Sequence, residues 1–264
     1  MPALASAAEV TTTLLLGTMV LNNDFRHPVL VAREAATLDV LSEGRLQLGL
    51  GAGHMRHEYE QAGLDFDPGP TRVERLGEAV AIIKGLLRGE AVSFAGRHYR
   101  VTGHVVHPAP VQRPHPPILI GGNAAQVLTL AAKEADIVGL NGITFRRGGA
   151  APDVTNFREA DVDQQVQLVR QAAGGRFERL ELNALVQRVV VTGDRRAAAE
   201  ELAGRWPQLG AEDILRSPYA LLGTIEQLVD DLQARRARWG ISYYTIQEPY
   251  LDAFAPVVAR LAGT

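Results

Sequence analysis

Cysteine is absent from the 264 residues, which excludes disulfides, thiol catalysis and thiolate metal sites. Long apolar runs are missing too: no window approaches the roughly 20 residues that span a bilayer. There is no basic run, and a formal net charge of −3 argues against nucleic acid as the main partner. The opening MPALASAAEV has neither the basic region nor the apolar core of a secretory signal, so a cytoplasmic protein is expected. Two catalytic signatures are also lacking. No G-x-S-x-G elbow offers a serine nucleophile, and Ser42 and Ser217 fall at helix boundaries, where capping accounts for them. The glycines of Gly49-Leu50-Gly51-Ala52-Gly53 stand too close together for a nicotinamide fingerprint. The pairs His54/His57 and His104/His107 come without a third ligand or the H-E-x-x-H order, so no metal site is expected.

What is present describes a globular chain. A hydrophobic content of 46% with 22% charged residues supplies enough apolar surface for a core. Residues 14–53 read as one βαβ unit on which the rest is organised. The apolar run 14–20 predicts a strand covered on both faces. Asn22, Asn23 and Asp24 form a turn, and Pro28 suits the first turn of a helix over 29–41. Gly44 suits a left-handed cap, and Arg45 leads into a second buried strand at 46–50. Within that helix Glu34 and Asp39 read as structural partners for Arg45, and Arg26 suits a carboxylate or a phosphate, a surface or interface salt bridge being the plainer reading.

Further along, residues 54–70 predict a long polar loop, followed by a helix with a Thr71/Glu74 capping box. That helix carries Val73, Leu76, Val80, Ile83 and Leu87 at helical spacing. Residues 91–101 predict a hairpin turning at Ala95-Gly96, and 108–117 an extended Pro-rich connector. Strands are expected at 118–120, 136–140, 182–191 and 241–246. Helices are expected at 124–135, 157–173, 195–206, 225–239 and 254–261. Residues 141–156, including Arg146-Arg147-Gly148-Gly149, read as loop. Strand–helix alternation of this kind is α/β architecture; six such units fit an open sheet as well as a barrel, and one domain over 1–264 is expected.

Two strand ends carry the candidate chemistry. Gly121-Gly122-Asn123 lies between a strand and a helix start, where unpaired backbone N–H groups and the helix dipole favour a phosphate; a plain tight turn is the other reading. Gly51-Ala52-Gly53-His54 ends another strand, where small residues serve either packing or ligand approach. His57, in the loop beyond, suits a substrate-side hydrogen bond or a proton donor.

Thr18 to Arg45, within the wording LGTMVLNNDFRHP, AREAATLDVLSEGR and GLGAG of residues 16–53, resembles the luciferase-like monooxygenase superfamily, in particular its branch using the deazaflavin coenzyme F420. The resemblance runs to the C-terminal GISYYTIQEPYLDAFAPVVARLAG. It implies a TIM-barrel-like (β/α)8 fold, here with about six parallel strands because the family's first two βα units are absent. It further implies a non-prolyl cis peptide at Met19-Val20 against the ring and Asn22 beside the ring or ribityl chain. The phosphate would lie at Gly121, Gly122 and Asn123, with Ala52, Gly53 and His54 at the cofactor's edge. Relatives often hold a hydroxyl residue and a carboxylate at the positions of Ala52 and His54, so contacts there are rearranged. The family's acid/base histidine precedes this chain, leaving His54 or His57 as the only nearby substitutes. The implied activity is hydride transfer between F420 and a small organic substrate. An FMN-dependent monooxygenase, or a non-catalytic truncated scaffold, is the alternative. A homodimer covering the open barrel edge is the expected assembly.

Overall fold

Proline and glycine punctuate the elements from the first turn onward. The computed structural model describes residues 1–145, 152–154 and 156–263, and the chain divides into two compact units, Met1–Ile137 and Val138–Thr264.

The first unit opens with helix α1 (Pro2–Val10), with Pro2 at its first turn. The short strands β1 (Leu16–Gly17) and β2 (Leu21–Asn22) follow, then helix α2 (Pro28–Leu41) and strand β3 (Leu46–Gly51). The run expected as one buried strand is therefore two, and Leu14 and Leu15 are 56% and 59% exposed while only Leu16 is fully inside. The cause is a bulge. Between the pairs Gly17↔Gln47 and Leu21↔Leu50 the first chain advances four residues and β3 three, and one extra residue must loop outward. Thr18 fills the gap in the ladder: its hydroxyl donates to Gly49 O (2.8 Å) and accepts from Gly49 N–H (2.9 Å). The Met19–Val20 peptide that follows is cis, as the resemblance implied.

The turn from α2 into β3 shows why its sequence is so particular. Gly44 adopts φ 82°, and its N–H returns to Asp39 O at 2.8 Å, closing the helix as expected. Arg45 then gathers four neighbours: Nε donates to Ser42 O (2.7 Å), Nη1 to Leu14 O and Thr11 Oγ1 (3.0 Å each), and Nη2 to Ala8 O (3.0 Å). Asp39 is not its partner. That carboxylate accepts from the connector at Val111 and Gln112 instead. Arg26 pairs with Glu34 at 3.1 Å.

Residues 54–70 are not one loop, because helix α3 (Arg56–Ala62) forms within them and ends at Gly63 with φ 69°. Helix α4 (Gly69–Leu87) starts earlier than expected, with Pro68 as N-cap, so Thr71 lies inside it and caps nothing; Pro70 in the first turn tolerates that start. Leu76, Val80, Ile83 and Leu87 are fully buried. Strands β4 (Val92–Ala95) and β5 (Arg100–His104) form the hairpin. Its turn is held by Glu78, which accepts from the N–H groups of Arg97, His98 and Tyr99 at 2.7–3.0 Å. The connector contains cis bonds at His107–Pro108 and Arg113–Pro114. Strand β6 (Ile118–Gly122) and helix α5 (Ala125–Glu134) complete the unit. β1 and β2 pair parallel with one edge of β3, and β6 with the other.

The second unit runs β7 (Ile137–Leu140), β8 (Thr144–Phe145), β9 (Pro152–Asp153), α6 (Glu159–Ala173), β10 (Glu181–Leu185), β11 (Arg188–Val191), α7 (Arg195–Arg205), α8 (Ala211–Arg216), β12 (Ala220–Gly223), α9 (Ile225–Trp239), β13 (Ile241–Thr245) and α10 (Leu251–Leu261). β7, β10 and β13 are sheet neighbours in that order, while β11 and β12 pair separately. The strand expected over 182–191 is thus two strands in two sheets. The switch falls between adjacent residues: Val186 N–H bonds Thr245 O (3.0 Å), and Gln187 N–H bonds Tyr219 O (2.8 Å). β8 and β9 pair antiparallel where a loop was expected, and Arg146-Arg147-Gly148-Gly149 lie outside the described residues. α9 has a full capping box, Thr224 with Gln227, and stops at Gly240 with φ 78°. Among the described residues no helix is long and apolar enough to cross a membrane.

Candidate functional site

Parallel pairing brings three strand ends into one row. Asn22 of β2 stands opposite Gly51 of β3. Leu50 stands opposite Ile120 of β6, which places Gly51 and Gly121 side by side one residue further on. The residues singled out from the sequence (Met19, Val20 and Asn22; Ala52, Gly53 and His54; Gly121, Gly122 and Asn123) therefore meet at the carboxyl ends of β2, β3 and β6, where α/β sheets collect ligands.

Glycine makes this bay possible at two positions. A Cβ on Gly49 would stand 1.8 Å from Thr18 O. On Gly51 it would stand 2.7 Å from Val20 Cγ2. The outward loop at Met19–Val20 can only lie on β3 because these two residues have no side chain. Met19 and Val20 remain 41% and 37% exposed, so this peptide is on display rather than in the core.

Asn22 serves its own chain first. Its Oδ1 accepts from Asp24 N–H at 3.1 Å, capping a short helical turn over Asn23–Phe25, and from the Tyr59 hydroxyl at 3.0 Å. Tyr59 was not anticipated from the sequence, nor were Asp24, Arg72 and Arg75. Tyr59 is fully buried between Phe25 and Phe66, with ring centroids at 5.1 and 4.9 Å. Burial, opposed by the Asn22 hydrogen bond and reinforced by the Asp24 charge, pushes its phenol up to about 12. Arg75 pairs with Asp24 (2.8 Å) and with Asp67. Arg72 donates from Nε to Ala52 O at 3.2 Å and lies 3.8 Å over the Phe66 ring. Arg72 and Arg75 at i, i+3 on an N-terminal helical turn were the available signal.

At β6, Gly122 has no room for a side chain, since a Cβ would meet Val127 Cγ1 at 2.4 Å. The N-cap of α5 is Ala124, with no side-chain cap hydrogen bond. The N-cap residue itself therefore gives no oxygen to the first-turn N–H groups beside Gly121-Gly122-Asn123, and a helix start of this kind suits an anion.

His54 is exposed, yet loss of hydration around its ring holds the imidazole below its ordinary range; Glu58 pulls the other way, and Arg72 and His57 add to the lowering. His57 lies exposed on α3. For His54 the folded pKa is below the unfolded value of 6.5, so the unfolded chain takes up the proton first. Stability contributed by neutral His54 is lost as pH falls from about 6.5 through the lowered value. Replacing His54 with glutamine is expected to flatten the stability profile over that window; urea denaturation at steps between about pH 5 and 7.5 would exclude the effect if both proteins lose stability in parallel. Among the described residues no group of three or more His, Asp or Glu is placed to hold a metal ion.

A pocket of about 430 Å³ is lined by Asp24, Phe25, His27, Tyr59, His98 and Tyr99 among others. Its arginines are already committed, Arg75 to Asp24 and Asp67 and Arg26 to Glu34, so it offers a phosphate no uncommitted guanidinium.

The sequence pattern of luciferase-like monooxygenases matches residues 1–243. An F420-dependent glucose-6-phosphate dehydrogenase of Microbacterium testaceum is 36% identical over 137 residues, 52% of this chain and 40% of that enzyme, so the match spans less than half of the relative. Among solved structures, the coenzyme F420-dependent tetrahydromethanopterin reductase of Methanopyrus kandleri matches with a TM-score of 0.76 at 18% identity, covering 98% of this chain and 85% of that one. A monooxygenase of Streptomyces bottropensis matches with a TM-score of 0.69 at 23% identity, over 92% and 74%. The fold is thereby the α/β, TIM-barrel-like one, with β1, β3, β6, β7, β10 and β13 as its six parallel strands.

Proposed function

Because the chain belongs to the luciferase-like monooxygenase family, we propose that it is an oxidoreductase that binds coenzyme F420 at the carboxyl ends of β2, β3 and β6 and acts on a small organic substrate. The observation that carries this reading is the convergence of three features at one row of strand ends: an exposed Met19–Val20 segment, a strand end of small residues at Gly51-Ala52-Gly53, and a helix start whose N-cap residue, Ala124, supplies no capping oxygen. The residues present fit such a group. Met19 and Val20 are exposed beside Gly51, Ala52 and Gly53, none larger than a methyl, which leaves a flat ring unobstructed from that strand. The N–H groups at the start of α5, with Gly122 bare beside them, suit the phosphate. The relative from Microbacterium testaceum, F420-dependent by name, favours the deazaflavin over FMN.

When bound, the deazaflavin supplies hydride chemistry to the site. The chain's own part is to bind and orient. Met19–Val20 gives the ring a surface, Ala52 and Gly53 give backbone contact, and Gly121-Gly122-Asn123 anchors the anionic end. His54, held neutral, is a proton acceptor at its imidazole rather than an anchor for an anion. His57, exposed on α3, is the candidate for a hydrogen bond on the substrate side.

Titration with F420 and with FMN, followed by fluorescence, tests this. Saturable F420 binding is expected. Binding of FMN alone would move the protein to flavin chemistry, and binding of neither would leave the non-catalytic scaffold.

A further inference from the structure

One side chain ties the two strand ends of the bay together without belonging to either. The Tyr59 hydroxyl lies 3.0 Å from Asn22 Oδ1, 3.0 Å from Asp24 Oδ2 and 3.5 Å from Ala52 O. Asn22 ends β2 and Ala52 follows β3, while Tyr59 comes from α3. A phenol has one proton to donate, and here three acceptors converge on it. Asp24, only 5% exposed in its side chain, is itself held by Arg75 at 2.8 Å. The acceptor cluster is thereby anchored to α4.

Gly53 shows that the fit is made for the oxygen. At φ 75° a Cβ there would stand 2.0 Å from the Tyr59 hydroxyl and 2.7 Å from Asn22 Oδ1. The chain passes over the hydroxyl with nothing in between. The ring itself has separate support, edge-on to Phe25 and Phe66. Holding the ring and contacting the strand ends are therefore two separable tasks of this side chain, the second belonging to its oxygen. With its phenol pushed up to about 12, Tyr59 keeps the proton for that task throughout the neutral range.

We propose that Tyr59 is the positioning residue of the bay: its hydroxyl fixes Asn22 against Ala52–Gly53 and so sets where both face the cofactor. This rests on reading the bay as a cofactor site. Tyr59 touches no reacting atom and acts through Asn22 and Gly53.

Tyr59→Phe isolates the oxygen, and Tyr59→Leu removes the ring as well. Four measurements apply: F420 affinity by fluorescence, visible circular dichroism of the bound deazaflavin at saturation, and the amide hydrogen exchange and thermal midpoint of the cofactor-free protein. Tyr59→Phe is expected to weaken F420 roughly tenfold or more, as for loss of a hydrogen bond to a charged group, and to alter the dichroism. It is also expected to speed exchange at residues 21–24 and 52–54 while the thermal midpoint stays close to wild type. Tyr59→Leu is expected to weaken binding equally but to lower the midpoint too. Phe-variant affinity within about twofold of wild type, with unchanged exchange, would overturn the proposal while leaving the cofactor reading intact. If the wild-type protein binds neither cofactor, that reading falls; the exchange comparison then decides alone, unchanged rates at 21–24 and 52–54 overturning the tie and faster rates supporting it.

Discussion

Alanine in place of Gly49 is expected to destabilise the protein by about 3 kcal/mol or more, the upper end of what overpacking usually costs. The added methyl would stand 1.8 Å from Thr18 O, 2.9 Å from Thr18 C and 3.2 Å from Val20 Cγ1. Two of these three obstacles are backbone, so no rotamer change relieves them. β1 must retreat from β3, and retreat breaks both hydrogen bonds between the Thr18 hydroxyl and Gly49. These are the bonds that replace the ladder across the bulge, so the displayed Met19–Val20 segment loses its support at the same time. Cofactor affinity is expected to fall with stability. A useful contrast is Gly204→Ala in the last turn of α7, where a Cβ meets nothing within 4 Å and alanine is favoured by at most about 1 kcal/mol. Denaturant unfolding of both variants checks the pair. A Gly49→Ala protein within about 1 kcal/mol of wild type would mean that β1 and β3 do not approach as described.

Much of the fold was legible because its strands and helices obey simple patterns. The stripe Leu76, Val80, Ile83 and Leu87 reads as a buried helical face and is one. Gly44 reads as a left-handed cap and has φ 82°. Where the pattern misled, a side chain had taken over a backbone task or the chain had changed partners without changing composition. The apolar run at 14–20 looks continuous, but Thr18 spends its hydroxyl on Gly49 and forces a bulge there. The run at 182–191 is equally apolar on both sides of Val186 and Gln187, yet those neighbours bond to different strands. Hydrophobicity records burial and is silent about which partner does the burying.

The candidate site divides along the same line. Its glycines and strand ends were visible, because close approach demands glycine and ligands gather where parallel strands end. The residues that hold the bay in place were not. Tyr59, Asp24 and Arg75 come from three separate segments, and only the fold brings the phenol within 3.0 Å of the carboxylate. The i, i+3 spacing of Arg72 and Arg75 marks a shared helix face and does not show which carboxylate that face meets.

Loss of the Asp39 carboxylate is the second change expected to have a large effect. Asp39 is completely buried near the C-terminal end of α2, where the helix dipole disfavours a negative charge and no basic side chain occupies the last turn. What stabilises it there is hydrogen bonding. Oδ2 accepts from Val111 N–H (2.7 Å) and Gln112 N–H (3.0 Å), and Oδ1 accepts from Gln112 Nε2 (2.6 Å). Gln112 Nε2 also donates to Leu46 O at 2.8 Å, so the same carboxylate pins the Pro-rich connector to the start of β3. Asp39→Ala removes three hydrogen bonds to a charged group, at about 1.5–3 kcal/mol each before the freed donors regain water, and a loss of roughly 3–5 kcal/mol is expected. Asp39→Asn is the subtler test. Its one carbonyl oxygen can serve the backbone donors, but its amide then faces Gln112 Nε2. Turning the Gln112 amide to relieve that clash sets Oε1 against Leu46 O, so one hydrogen bond is lost either way, for about 1–3 kcal/mol. Denaturant unfolding ranks the two variants, and limited proteolysis is expected to cut first between residues 105 and 117. A loss under about 1 kcal/mol for Asp39→Ala would show that Asp39 does not hold the connector. Because these contacts lie at the amino end of β3, away from Gly51, F420 affinity of the folded Asp39→Asn protein is expected to match wild type, which separates damage to the scaffold from damage to the bay.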